Sequence, residues 1–577
     1  MLSYQKFLPP LALALSAAFA LSAAAPSSHP FSDEKEVIVP STLSNDSVFS
    51  ARADFYADSV LQTLSTEQRL AQLIMPMVYP KRDKASLERF DRMVQDARFG
   101  GLLWQKGTPE DVFYLTNRMI ERAEVPMLTA MDGEWGLSMR FSGTIRWPRN
   151  IVLGAADNEL LAYRYGRATG KEAKRLGIHV NFAPVIDVNS NPKNPVIGTR
   201  SFGSDPDLVT RLGIAYARGL EREQVLATAK HFPGHGDTDV DSHKALPVIN
   251  KSRAELEEVE LKPFREYIKA GLGGVMVAHL TIPALGTGSK RASSASPEVV
   301  TDLLQKELGF EGLIFTDALE MKGIVAGVGS GRVGVEVFKA GSDILLAPTD
   351  PFALLEELKS ALAKGEITSS EVDRRARKVL RYKFLLGIER PVFLSARNLN
   401  RDLNSQEGEA LMREIYEKGM TLVKNENGAV PVKGSTAFVR YGASLAGAIT
   451  GQMKDGISIT NLGTGASAEE QARTFGRYGK GQTVIVAVTS SGVKPNKEAL
   501  IKLAGRSNLV LVFMTSPYTS LKFGEALNAA DAVAYGYDNS VSAQRAMGAA
   551  LSGAKPFTGK LPIELAPYFP FGSFVSE

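Results

Sequence analysis

The chain has 577 residues, 44% of them hydrophobic and 23% charged, with a formal net charge of +4. That length exceeds one ordinary core and points to two or three domains, while Lys and Arg are scattered rather than gathered into the basic stripe that nucleic acid requires. There is no cysteine, which excludes disulfides, thiolate metal sites, a cysteine nucleophile and a lipidated N-terminal cysteine.

At the N-terminus, Lys6 precedes the apolar run LPPLALALSAAFALSAAA, and Ala23-Ala24-Ala25 supplies the small residues of a cleavage site. This is the form of a secretory signal peptide over residues 1–25. The run is about long enough for a short membrane anchor, but two prolines and many alanines weaken a span. The expectation is export to the periplasm or the medium, with no stable membrane insertion after cleavage. Residues 26–50, rich in Ser and Pro, read as a linker.

From about residue 55, short apolar runs recur: QLIMPMV (72–78), GGLLW (100–104), PMLTAMD (126–132), HVNFAPVID (179–187), VLATAKHF (225–232), GGVMVAHL (273–280), GLIFTDA (312–318) and DILLAP (343–348). Helix-like segments such as ELLAYRYGRATGKEAKRLG and SPEVVTDLLQKELG lie between many of them. Strands alternating with helices indicate βαβ units and a parallel sheet. Eight such runs predict an α/β fold, a (β/α)8 TIM-type barrel over residues 51–390.

A barrel of this kind carries its functional groups at the C-terminal ends of its strands. Asp132, Asp187, Lys230 with His231, His279 and Asp317 close five successive runs. Any one of them reads as an ordinary strand terminator; five on one side read as a functional rim. EVDRRARKVLRYKFLLGI (371–388) predicts a helix ending the barrel domain, and 391–405 a polar linker. Beyond it, TAFVRYG, TVIVAVT, NLVLVFMTS, DAVAYGYD and KLPIEL are strand candidates of a smaller α/β sandwich domain over residues 406–577.

Three of the six histidines fall within KHFPGHGDTDVDSH, residues 230–243. In an extended segment, Asp241 and His243 point to the same side. A carboxylate there fixes the imidazole tautomer, leaving the other ring nitrogen for proton transfer. A surface Asp-His pair is the plainer reading of D-x-H alone. A metal site built from His231, His235 and Asp237 or Asp239 competes, although Pro233 and two glycines break the helix of an H-E-x-x-H site. Asp317 at a strand end, opposite a proton-transfer group, suits glycoside cleavage, in which one group attacks the anomeric carbon and another protonates the leaving oxygen. Lys230, His231, Asp132 and Arg200 can hold sugar hydroxyls through charge-assisted hydrogen bonds.

These motifs together resemble glycoside hydrolase family 3, and KHFPGHGDTDVDSH resembles the signature loop of its β-N-acetylglucosaminidases. NPVIGTRSFGSDP (194–206) is similar to the segment carrying that family's substrate-binding arginine, GLIFTDALEMKGI to its nucleophile strand, and MDGEWGLSMRF (131–141) to its D-x-E-G-G block. The match runs in order across most of residues 55–390. The resemblance implies a retaining exo-β-N-acetylglucosaminidase that removes terminal N-acetylglucosamine from peptidoglycan fragments or chitin oligosaccharides through a covalent glycosyl-Asp intermediate. By the same resemblance Asp317 is the nucleophile and Asp241 with His243 the acid/base dyad. Lys230, His231, Arg200 and Asp132 become contacts to the sugar. No cofactor, metal or obligate protein partner is implied; the partner is a carbohydrate.

The chain departs from the block at Trp135, where the family has glycine. This indole is either packing against a loop or a stacking platform for a sugar ring. His235 and Asp237 are expected to brace the loop. Two other functions stay open: phosphorolysis, since a neutral imidazole repels phosphate less than a carboxylate does, and sugar binding without catalysis.

Overall fold

The computed structural model describes residues 38, 47–239, 246–288, 291–321, 323–324, 332–443, 447–453 and 457–575. The expected signal peptide and most of the expected first linker lie outside them, as do Asp241 and His243 of the expected dyad. A helix, Ser47–Thr63, begins within the last residues of that linker.

All eight apolar runs form barrel strands. The first is split by Pro76 into β1 (Ile74–Met75) and β2 (Met77–Val78). There follow β3 (Gly101–Trp104), β4 (Leu128–Met131), β5 (Val180–Asn181), β6 (Leu226–Phe232), β7 (Gly274–Val277), β8 (Leu313–Thr316) and β9 (Leu345–Leu346). From β2 to β8 each strand pairs with its successor in parallel. The ring closes where β1 pairs with β9 and Phe315 bridges Ile344. Residues of these strands are almost all buried, which is why they read as continuous apolar runs rather than alternating ones.

Local signals fix the helices around them. Asn158 caps Glu159–Arg175 by accepting the Leu161 amide, and Thr368 with Glu371 forms a reciprocal capping box at the start of Ser369–Leu385. This last helix packs against Ser47–Thr63 on the outside of the barrel, where Arg377 binds Asp58 through Nε at 2.6 Å and Nη2 at 3.0 Å.

The second domain is a six-stranded sheet in the order β10 (Thr421–Asn425), β15 (Ala532–Tyr535), β14 (Asn508–Phe513), β13 (Thr483–Val488), β11 (Thr436–Gly442) and β12 (Ser458–Gly463). All neighbours are parallel except β10 with β15. Four of the five expected strands are present. KLPIEL is not a strand: Pro562 lacks the amide a ladder needs, and the segment runs back along the barrel. There the Lys560 amide donates to Ala155 O at 2.9 Å, and Pro562 O accepts the Ser204 amide at 3.0 Å. The expected linker 391–405 contains a helical turn, Leu399–Leu403. Among the described residues no helix is long and apolar enough to cross a membrane.

Candidate active site

The C-terminal rim of the barrel brings five expected residues together: Asp132, Arg200, Lys230, His231 and Asp317. Asp132 follows β4 by one residue, Asp317 follows β8 by one, and Lys230 and His231 lie in the last turn of β6. The pairing register of β6 on β7 shifts between Ala229 and Phe232. Such an irregularity re-aims side chains, and here two consecutive residues both reach polar partners of the rim.

Lys230 is buried with two carboxylates, Asp132 Oδ1 and Glu134 Oε1, each 2.9 Å from Nζ. Arg140 Nη2 holds the other oxygen of Asp132 at 2.6 Å. Burial alone would raise the Asp132 pKa, but Lys230 and Arg140 outweigh it and bring it down to about 2. Arg200 grips both oxygens of Glu134, with Nε at 2.8 Å and Nη2 at 2.7 Å. Burial opposes the charge of Glu134 too, yet Arg200 and Lys230 hold its carboxyl well below the usual range. The backbone beneath is fixed: Asn181 Oδ1 accepts the Gly133 amide at 2.9 Å, and the Tyr165 hydroxyl donates to Glu134 O at 3.2 Å.

Asp187 organises the histidines. Its Oδ2 lies 2.7 Å from His231 Nδ1, while Oδ1 accepts the amides of His231 at 3.1 Å and His235 at 2.7 Å. The other ring nitrogen of His231, Nε2, lies 3.3 Å from Arg200 Nη2. His235 Nδ1 lies 2.9 Å from Thr238 Oγ1, the bracing expected of it, and burial brings its pKa down to about 4. Asp237, half-buried, pairs with Lys251 at 3.4 Å. Among the described residues no group of three or more His, Asp or Glu is placed to hold a metal.

Asp317 accepts the Ala318 amide on Oδ1 at 2.7 Å. Burial pushes its pKa up, but the charges of His231 and His279, the Ala318 amide and Lys230 outweigh it, so the net shift is downward. An anionic carboxylate therefore stands on the same rim as a cluster of fixed donors, an arrangement able to attack a carbon whose neighbouring hydroxyls those donors hold. His279, expected near the site without a role, has Nδ1 2.7 Å from Ser294 Oγ and Nε2 3.2 Å from Ala318 O. It supports the backbone beside Asp317.

Trp135 is half-buried and carries the Arg149 guanidinium 4.4 Å from its ring centre, a cation–π packing contact. Gly136 beside it has φ +68°, and a Cβ there would stand 2.3 Å from Trp147 Cδ1, so this glycine is required on both counts. Two residues of the cluster, Glu134 and Asp187, have no individual role assigned from the sequence. Glu134 carries a signal, since it lies two residues after Asp132 in the same block; Asp187 was visible only as a strand-end acid.

The chain matches the model of the glycosyl hydrolase family 3 N-terminal domain over residues 65–382. It is 34% identical over 345 residues to β-hexosaminidase A of Pseudoalteromonas piscicida, covering 55% of this chain and 56% of that one. A β-hexosaminidase of Mycobacterium tuberculosis is 35% identical over 332 residues, 56% of this chain and 83% of that one. Among solved structures, a family 3 β-N-acetylglucosaminidase from a Paenibacillus species superposes with a TM-score of 0.76 at 31% identity, covering 87% of this chain and 99% of that one.

Proposed function

Because the chain belongs to glycoside hydrolase family 3, we propose that it removes terminal β-linked N-acetylglucosamine from glycans with retention of configuration. The observation that carries this reading is the meeting of Asp317 with Lys230, His231, Arg200 and Asp132 at one barrel rim. In the first step an Asp317 oxygen bonds to the anomeric carbon as the bond to the leaving oxygen breaks. His243, oriented by Asp241, gives its proton to that oxygen. In the second step water attacks the anomeric carbon, its proton returns to His243, and Asp317 is released. Lys230, His231, Arg200 and Asp132 hold the sugar hydroxyls, and Glu134 keeps two of those cations in place.

The names of the relatives support a hexosaminide rather than a glucoside. The apolar run before Ala25 supports export, and for an exported enzyme peptidoglycan fragments and chitin oligosaccharides are the two substrate classes in view. The test is hydrolysis of a chromogenic β-N-acetylglucosaminide, followed by parallel assays on muropeptides and chitobiose. Absence of cleavage would overturn the reading. N-acetylglucosamine 1-phosphate as the main product in phosphate buffer would replace hydrolysis by phosphorolysis.

A further inference from the structure

From the second domain, the Tyr518 side chain reaches the barrel rim. Tyr518 stands just beyond the end of β14, on a short 3-10 turn, Pro517–Phe523. Its hydroxyl oxygen accepts the side-chain amide of Asn189 at 2.6 Å. Asn189 is buried and lies two residues after Asp187, the carboxylate that holds His231 and His235. Its own carbonyl Oδ1 accepts the Gly198 amide at 2.9 Å, and its backbone amide donates to Gly203 O at 3.0 Å. Gly198 and Gly203 bracket Arg200. The side-chain Nδ2 of nearby Asn194 donates to His235 O at 2.8 Å and Gly236 O at 3.0 Å. A Cβ on Gly236 would stand 1.7 Å from Val188 O, so the histidine loop lies directly on this segment. Asn189 thus anchors both ends of the arginine loop, Asn194 ties that loop to the histidine loop, and Tyr518 holds Asn189 from outside the barrel.

We propose that Tyr518 is a positioning residue for the sugar-binding rim, acting through Asn189 on Arg200 and His231. Asn189 has several simultaneous bonds and one orientation that satisfies them. Losing the phenol oxygen removes the shorter of its two side-chain N–H bonds and leaves only the one to Asn191 O at 3.3 Å, which favours rotation away from Gly198. The pocket then loosens without losing any group that takes part in bond cleavage. The consequence falls on sugar affinity, so the inference rests on the reading that Arg200 and His231 contact the substrate.

The test compares the full-length protein with Tyr518→Phe, which keeps the ring and removes only the hydroxyl. Hydrogen exchange needs no substrate: amides of residues 187–204 and 230–238 are expected to exchange about three- to tenfold faster, with those of β13 and β14 unchanged. On a chromogenic β-N-acetylglucosaminide, KM is expected to rise about three- to tenfold while kcat stays within about twofold. Asn189→Ala is expected to raise KM at least as far, and adding Tyr518→Phe to it to change little more. Unchanged exchange in both loops, a fall in kcat at constant KM, or effects that multiply in the double variant would overturn the proposal. A wild-type protein that cleaves no hexosaminide would refute the proposed function, and the exchange experiment would still decide the role of Tyr518.

Discussion

Arg200 closes on Glu134 with both carboxylate oxygens engaged, Nε at 2.8 Å and Nη2 at 2.7 Å, while Lys230 takes one of the same oxygens at 2.9 Å. One anion is thereby shared by two cations, and Lys230 has Asp132 as its second partner. Glu134→Gln keeps the shape and removes the charge. We expect KM to rise on the order of tenfold or more, with a smaller fall in kcat. Steady-state kinetics checks this, and an unchanged KM would remove Glu134 from the sugar-holding cluster.

Asp317→Asn is expected to lower turnover by at least about a thousandfold, because an amide cannot form the glycosyl ester. Mass spectrometry of wild-type protein stopped during turnover should show a covalently attached hexosamine. The carboxyl titrates below its ordinary value, so it stays ionised throughout the neutral range. A decline of kcat/KM between pH 6 and pH 5 must then come from another group. Full activity in Asp317→Asn would end its assignment as nucleophile.

His243→Ala should be harmed least on substrates that do not need its proton. Nitrophenol leaves as an anion, whereas a sugar alkoxide does not. The loss on disaccharides is expected to exceed the loss on nitrophenyl glycosides by at least about tenfold. Equal losses on both would argue against an acid role.

Glu172, on the helix Glu159–Arg175, is buried, with Oε1 accepting the indole N–H of Trp147 at 2.9 Å. Burial raises its pKa from 4.5 to about 8. The folded protein therefore keeps this carboxyl protonated where the unfolded chain ionises it. Its contribution to stability is complete below about pH 4.5 and is lost as pH climbs to about 8. Glu172→Gln, which cannot ionise, should melt at nearly the wild-type temperature at pH 4.5 and above it at pH 8, by on the order of a few kcal/mol in stability. Parallel melting curves at both pH values would refute the buried neutral carboxyl.

The barrel was legible because strands buried on both faces must be apolar along their length, and polar residues at their ends must be there for another reason. Asp317, Lys230 and His231 carry that mark. Partners were harder to see. Glu134 meets Arg200 across 66 positions and Asp187 meets His231 across 44, and no local pattern announces such pairs. In the second domain, β12 escaped notice because most of its residues face solvent, so it lacks the apolar run of β13. KLPIEL misled for the opposite reason. Leu561, Ile563 and Leu565 are buried, but the hydrogen bonds of the segment go to the barrel and to residues 569–573 instead of to the six-stranded sheet.

That returning segment has a consequence in time. Ribosomes deliver the chain from one end, so the barrel emerges complete long before residues 560–564 exist. At 5–20 residues per second, the stretch from Arg200 to Pro562 takes on the order of 20–70 s to make. Through most of that interval the Arg200 loop lacks Tyr518, and through all of it the contact of Ser204 with Pro562. The nascent protein therefore carries the chemical groups of its pocket well before it carries their final alignment, and synthesis of the tail is the step that finishes the pocket.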